Sequence, residues 1–451
     1  MTSAARPGLA MKLAALAVLV VLPFVLRVWP IEHGMPRNYV PDTHVVRAAL
    51  GIAKDKDPIP PVGKYSVYPL LLPYLLVPAY AAQYELGKLR GEWSDSRGYA
   101  DHVLEHPEDA QRIGRWLVLL FGALTPWAVF RAARAAGIQR GAWVSAWLVA
   151  TGLLHVQFSV QERPWVPVMF FFVLAAWFAT EHVESGRTRH LVLSSLAIGL
   201  ASACHQGGLP GALIPLAAWY YAPRDANGRR TAGVKPLALA LGVLGLVALV
   251  CGHLYFPKYG WTKPEDSIGG DVAKAQGGFN VGGLSLAFGA RLESVTRLSR
   301  AFFGYDPAVL LLGGAGFLMA WRVRALRPLL VFTVVWTAFF LSQQSDHVRY
   351  LLPAAVFLAW PAGLLAERWL DQRATRIALA GVLLVPLVQV SRFDWLLTRE
   401  DTRAAGEWLL GELPENAVVA IDRYGPDADL DERALVRLAE LRTRGAKAGA
   451  G

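Results

Sequence analysis

The chain has 451 residues, of which 54% are hydrophobic and 18% charged, and carries a net charge of +10. A mean hydropathy of +0.34, with a charged share below the ~25% of soluble domains, excludes an ordinary soluble protein. The surplus of Lys and Arg is spread over many short loops, not gathered into a basic stripe with interleaved aromatics, which excludes a nucleic-acid-binding surface.

At the N-terminus, Arg6 and Lys12 precede the apolar run Leu13 to Leu26, a start that resembles a signal peptide. Arg27-Val28-Trp29-Pro30 stands where a small-x-small cleavage site would be, which favours an uncleaved first helix with its N-terminus in the cytoplasm. Counting this first run, apolar stretches fall at roughly 10–29, 66–86, 113–133, 141–160, 165–181, 190–204, 208–222, 236–256, 306–321, 328–342, 349–367 and 375–391. Each reaches or approaches the ~17–25 residues of a bilayer span, so an all-α polytopic membrane protein is expected.

The loop charges give the topology. If every run crosses, the basic loops fall on the wrong side. If 66–86 does not cross, the loops holding Arg131, Arg134 and Arg140, Arg187 and Arg189, Arg224 to Lys235, Arg322 to Arg327, and Arg368 to Arg376 all become cytoplasmic. Pro69, Pro73 and Pro78 interrupt that run, and Tyr65, Tyr68, Tyr74, Tyr80 and Tyr84 suit an interface. The expectation is about eleven crossings and a re-entrant or interfacial hairpin at 66–86. A transmembrane domain would occupy 1–391, with outer loops 30–112 and 257–305, followed by a short outer tail 392–451.

Charged groups at the outer ends of spans are the candidate site. Asp42 follows the first span in Pro41-Asp42-Thr43-His44, and Glu162-Arg163 stands between two apolar runs. Two carboxylates at one membrane face could act as general base and as orienter or metal ligand. Against this, Pro-Asp is a common turn, and Glu162-Arg163 could be a plain ion pair at a helix mouth. Arg349, in His347-Val348-Arg349-Tyr350, opens a late span and suits a phosphate, or else snorkels with Tyr350 as an interfacial aromatic. His205 sits in a Gly-rich break and could meet a phosphate or a sugar hydroxyl, or cap a turn. Lys258 and Lys263 are weaker cations of the same kind. His44 could join Asp42 and Glu162 at a metal, although two or three such residues alone do not make a site. Cys204 and Cys251 lie in or beside apolar runs without ligand-like spacing. No phosphate-binding Gly-rich motif and no His-Glu-x-x-His is present.

The order of these features resembles the GT-C membrane glycosyltransferases, in the bacterial branch related to protein O-mannosyltransferases and the lipid A aminoarabinose transferase. The residues that carry the resemblance are Pro41-Asp42, Tyr68-Pro69, Arg112-Ile113-Gly114-Arg115, Gln161-Glu162-Arg163-Pro164-Trp165, Arg349-Tyr350-Leu351-Leu352-Pro353 and Asp401 to Leu409. Two departures stand out: Thr43 replaces the second acid of the first loop, and Glu162 adjoins Arg163 with no residue between. The chain ends soon after Tyr424, so a large C-terminal binding domain is not expected.

The resemblance implies transfer of a sugar, with inversion, from a polyprenyl-phosphate donor to a lipid, glycan or protein acceptor on the outer side of a bacterial inner membrane. Asp42 would be the catalytic base with Glu162 beside it, and Arg163, His205, Arg349, Tyr350 and Lys258 would bind substrate. No cofactor is required, and a divalent metal on Asp42, Glu162 and His44 is left open. The competing reading is a transporter or flippase for the same lipid-linked sugars. It is disfavoured because the acids cluster at the outer mouth and not at mid-depth.

Overall fold

The computed structural model describes residues 13, 15–35, 44–57, 68–224, 233–252, 279–281, 284–286, 292–343, 347–399, 408–409 and 411–414. Every apolar run named above is helical within them. The helices are α1 (Leu22–Val28, continuing a π-turn Ala17–Val21), α2 (His44–Asp55), α3 (Leu71–Arg90), α4 (Ser96–Glu105), α5 (Pro107–Ala135), α6 (Gly141–Thr151), α7 (Leu153–Ser159), α8 (Trp165–Ser185), α9 (Thr188–Cys204), α10 (Leu213–Tyr220), α11 (Val234–Cys251), α12 (Leu292–Tyr305), α13 (Pro307–Arg322), α14 (Arg327–Leu341), α15 (Leu352–Phe357), α16 (Ala359–Trp369) and α17 (Arg373–Leu397). Tight 3-10 turns lead into α10, α14 and α15. Among the described residues, six helices are long and apolar enough to cross a membrane, or seven if the bent pair α12–α13 is one span. The chain is a helical, multi-pass membrane protein.

Local sequence sets the ends of these helices. Proline opens α5 and α13, where an amide hydrogen has no helical partner to lose. Gly91 (φ 76°) and Gly186 (φ 66°) close α3 and α8 in the left-handed region. Asp95 caps α4, its side chain accepting from the amides of Arg97 and Gly98.

One expectation is corrected. The segment 66–86 is not a hairpin: α3 is one helix of 20 residues. Pro73 falls in its first turn, where it costs no helical bond, and Pro78 removes only a single bond inside. A short two-stranded antiparallel pair, Phe279–Val281 with Leu284–Leu286, lies in the loop 257–305, and the bundle itself is helical. The last helix runs from Arg373 to Leu397.

The core lies where spans approach closely. A Cβ on Gly363 would run into the Ser145 hydroxyl and the Gly141 carbonyl, so α6 and α16 touch backbone to backbone. Trp360 is fully buried there and donates to the Val129 carbonyl (3.1 Å). Helix α8 is central, with 78% of its most apolar window buried, whereas α11 and α17, at 17%, present most of their surface outward.

The basic loops gather at one end of this bundle. Arg140 bonds Asp371 (2.6 Å), Arg324 donates to the Val183 carbonyl (3.3 Å), Arg131 lies over Trp177 and Arg327 over Tyr221. The opposite ends of α5, α8 and α9 meet around Glu162, Trp165 and His205.

Candidate active site

The site begins at the turn that ends α9. His205 leaves the helix in an extended conformation, and its Nδ1 accepts from the amide of Gly207 (2.8 Å), which leaves the ring proton on Nε2. Gly208 packs so tightly on the backbone of Ala201 and Ser202 that it has no room for a side chain. The imidazole is buried between Trp165 (ring centroids 4.5 Å apart) and Tyr68 (4.9 Å), and His44 meets Tyr68 edge-on at 5.9 Å. Burial, with the Arg349 charge second, pushes the His205 pKa down to about 3, so the ring is neutral.

Trp165 is placed by Pro164, which caps α8 and starts the helix on the site side. The guanidinium carbon of Arg349 stands 5.3 Å from the Trp165 ring and 5.4 Å from the Tyr350 ring, within the range of cation–π attraction. Tyr350 stacks on Phe340 (4.2 Å, 14° between planes), and its carbonyl accepts from the Trp336 indole (2.7 Å). These contacts fix the short 3-10 turn Val348–Leu351 that carries Arg349. Arg349 Nε and Trp165 Nε1 are both buried and meet no acceptor among the described residues. Buried donors of this kind are costly unless an acceptor arrives.

Glu162 is engaged differently. Its carboxylate pairs with Arg115 Nε at 3.1 Å, and both side chains are buried. Arg115 also donates through Nη1 to the carbonyls of Ile31 (2.6 Å) and His33 (2.7 Å), which ties α5 to the segment after α1. One turn earlier, Arg112 bridges Glu32 (2.8 Å) and Asp109 (2.7 Å). Gly114 lets this corner close: a Cβ there would lie 2.7 Å from Val46 and 3.3 Å from Glu162.

The structure therefore brings His205, Arg349 and Tyr350 together, with His44 at the far side of Tyr68. Arg163 is half-buried on the turn beside Glu162, its amide donating to the Gln161 carbonyl (2.7 Å). Asp42 and Lys258 lie outside the described residues. Three members had no role assigned in the site from the sequence, although each stands in a stretch that carries the resemblance: Trp165, Tyr68 and Arg115. Trp165 and Tyr68 look like interfacial aromatics in a sequence rich in them. The buried partner of Glu162 was hidden because Arg163, its neighbour in the chain, is the obvious candidate.

Among the described residues no three of His, Cys, Asp and Glu form a group that could hold a metal ion. Glu162 faces a guanidinium and His44 a tyrosine ring. These described residues do not by themselves build a cation site.

Residues 108–256 match the family model for dolichyl-phosphate-mannose-protein mannosyltransferase, a stretch that contains Arg115, Glu162, Arg163, Trp165 and His205. The fold is similar to that of the archaeal oligosaccharyltransferase AglB from Archaeoglobus fulgidus, solved with an inhibitory peptide and a dolichol-phosphate (TM-score 0.55, 16% identity, 90% of this chain and 59% of that one). It is also similar to ArnT from Cupriavidus metallidurans, solved with undecaprenyl phosphate (TM-score 0.53, 16% identity, 91% of this chain and 67% of that one). The protein has the GT-C fold. The chain spans 59% of the archaeal enzyme's length. At these identities the likeness is one of fold. No curated protein sequence matches the chain.

Proposed function

We propose that this GT-C protein transfers a sugar from a polyprenyl-phosphate donor to an acceptor on the extracytoplasmic side of a bacterial inner membrane. The observation that carries the reading is the pair of buried donors, Arg349 Nε and Trp165 Nε1, that meet no acceptor among the described residues and stand beside a neutral imidazole in a multi-pass bundle. A phosphate entering from the lipid phase supplies the missing acceptor, and a guanidinium is the cation best suited to it. The gathering of the basic loops at the other end of the bundle supports an extracytoplasmic site, a cytoplasmic N-terminus and about eleven crossings.

In this reading Arg349, with Arg163, Lys258 and the Nε2–H of His205, neutralises the charge that grows on the phosphate as it leaves. Tyr350 and Trp165 hold Arg349 in place. Asp42 takes the proton from the acceptor hydroxyl, whose oxygen bonds to the anomeric carbon. The bond from that carbon to the phosphate oxygen breaks, and its electron pair stays with the phosphate. A single displacement inverts the anomeric centre. Glu162, paired with Arg115, shapes the pocket wall beside the phosphate site.

The test is transfer of a radiolabelled sugar from a panel of undecaprenyl-phosphate sugars to envelope acceptors by the purified protein. Label appearing on an acceptor, lost with Arg349→Ala and Asp42→Asn, supports the transferase. Lipid-linked sugar that crosses liposomes unchanged, with no label on any acceptor, would instead establish a carrier.

A further inference from the structure

The apolar run 141–160 is not one helix but two, α6 and α7, parted at Gly152 (φ −62°, ψ 116°). A break inside a packed bundle strands carbonyls at the end of one helix and amides at the start of the next, with no water to satisfy them. Here charged side chains from other spans meet both sets. The Arg27 guanidinium, fully buried on α1, donates to the carbonyls of Ala150 (3.2 Å) and Val149 (3.4 Å). It also crosses to α7, at Ser159 Oγ (3.2 Å) and His155 Nδ1 (2.7 Å). On the amide side, buried Asp306, at the 107° bend between α12 and α13, accepts from Leu153 N (2.9 Å) and Leu154 N (3.4 Å).

The surroundings are built to this arrangement. A Cβ on Gly152 would lie 2.9 Å from the Leu148 carbonyl oxygen and 3.3 Å from the Asp306 carboxylate. A Cβ on Gly122 would lie 3.1 Å from Arg27 Nε, so α5 closes directly over the guanidinium. Asp394 of α17 is buried within the field of Arg27, and Leu26, Val156 and Val390 form a small apolar cluster beside them. Helices α1, α7 and α17 thus meet at one point. The free end of α7 leads straight into Gln161-Glu162-Arg163-Pro164-Trp165, the wall of the site.

We propose that Arg27 and Asp306 are positioning residues: they clamp α7 at the break, and α7 acts as a strut that sets the Gln161–Trp165 wall against the donor phosphate. The importance of that wall rests on the transfer reading above, whereas the clamp itself does not.

The experiment uses the full chain in detergent with Arg27→Met, Arg27→Lys and Asp306→Asn, and two readouts. One is kcat and donor KM with whichever lipid-linked sugar is transferred. The other is the rate at which a water-soluble maleimide modifies Gln161→Cys in a Cys204→Ala, Cys251→Ala background, which needs no transferase activity. Arg27→Met and Asp306→Asn are expected to lower kcat about 100-fold with a smaller change in donor KM, as small misplacements of a site do. They should also speed labelling about tenfold, the mark of a local opening. Arg27→Lys, which keeps the charge but loses the fork, should fall between Arg27→Met and the parent in both. Folded, monodisperse Arg27→Met or Asp306→Asn with parental labelling and parental kcat overturns the proposal. If those two fail to fold, Arg27→Lys decides: faster labelling supports the clamp and parental labelling sinks it. If the parent transfers no lipid-linked sugar, the transfer reading fails while the labelling result still judges the clamp.

Discussion

The guanidinium of Arg115 and the carboxylate of Glu162 lie 3.1 Å apart with 5% and 3% of their side chains exposed, and they join residues 47 positions apart in the chain. A buried pair of this kind is worth little against an apolar replacement of both groups, but removing one partner strands the other charge. Arg115→Met is therefore expected to cost about 3–5 kcal/mol, and Arg115→Met with Glu162→Leu considerably less. Thermal midpoints of the two singles and the double in one detergent check this. Additive losses would show that the two groups do not act as a pair.

Among the described residues Arg349 is held by the faces of Trp165 and Tyr350 and pairs with no carboxylate, an arrangement suited to a ligand's negative charge. Hydrogen bonds to a charged group are worth about 1.5–3 kcal/mol, so Arg349→Ala should raise the donor dissociation constant roughly 10- to 150-fold. Arg349→Lys should recover part of that, since an ammonium keeps the charge without the bidentate fork. Titration of the purified variants with undecaprenyl phosphate reads both. Unchanged affinity in Arg349→Ala removes it from the phosphate site.

The helical bundle was legible in the sequence because hydropathy and loop charge act through the membrane itself. The apolar runs became helices, 141–160 and 349–367 in more than one piece, and the basic loops came together at one end. Segment 66–86 was misjudged because proline was weighed by number and not by position: Pro73 stands in the first turn of α3, where it does no harm. Taking 141–160 as one apolar stretch missed the break at Gly152, since a single glycine in an apolar run gives no sign that Arg27 and Asp306 will satisfy its ends. His205, Arg349 and Tyr350 were found one by one as charged or aromatic residues at span ends. That they share Trp165 as a neighbour depends on how α8, α9 and α15 pack, and no short-range pattern records it.

The turn that carries His205 depends on a glycine. Gly208 rests on the backbone of Ala201 and Ser202, atoms that cannot yield as a flexible side chain would. Gly208→Ala should destabilise the protein by about 1–3 kcal/mol, the usual cost of overpacking a close-packed site. It should also shift the His205 ring away from Trp165, which tryptophan fluorescence quenching by the imidazole can follow. A variant with parental stability and spectrum would mean that the turn can open without cost.

The neutrality of His205 has a definite consequence for pH. Burial first, and the Arg349 charge second, hold its pKa at about 3 in the folded protein, against 6.5 for an ordinary histidine. Between these two values the unfolded chain binds a proton that the folded protein refuses. The unfolded state therefore holds more protons, and stability rises with pH across that window. His205 adds a slope of up to about 1.4 kcal/mol per pH unit from roughly pH 3 to 6.5 and contributes no slope above it. His205→Gln keeps a polar side chain without the titration, so its acid unfolding midpoint should move to lower pH while its stability at pH 8 changes less. Removing the cation with Arg349→Gln should act in the same direction but more weakly, because burial is the larger cause. Acid titrations of the three proteins, followed by circular dichroism, give the comparison. Parallel curves for parent and His205→Gln would show that the ring already carries its proton in the folded state, in which case it would serve the leaving phosphate as a cation.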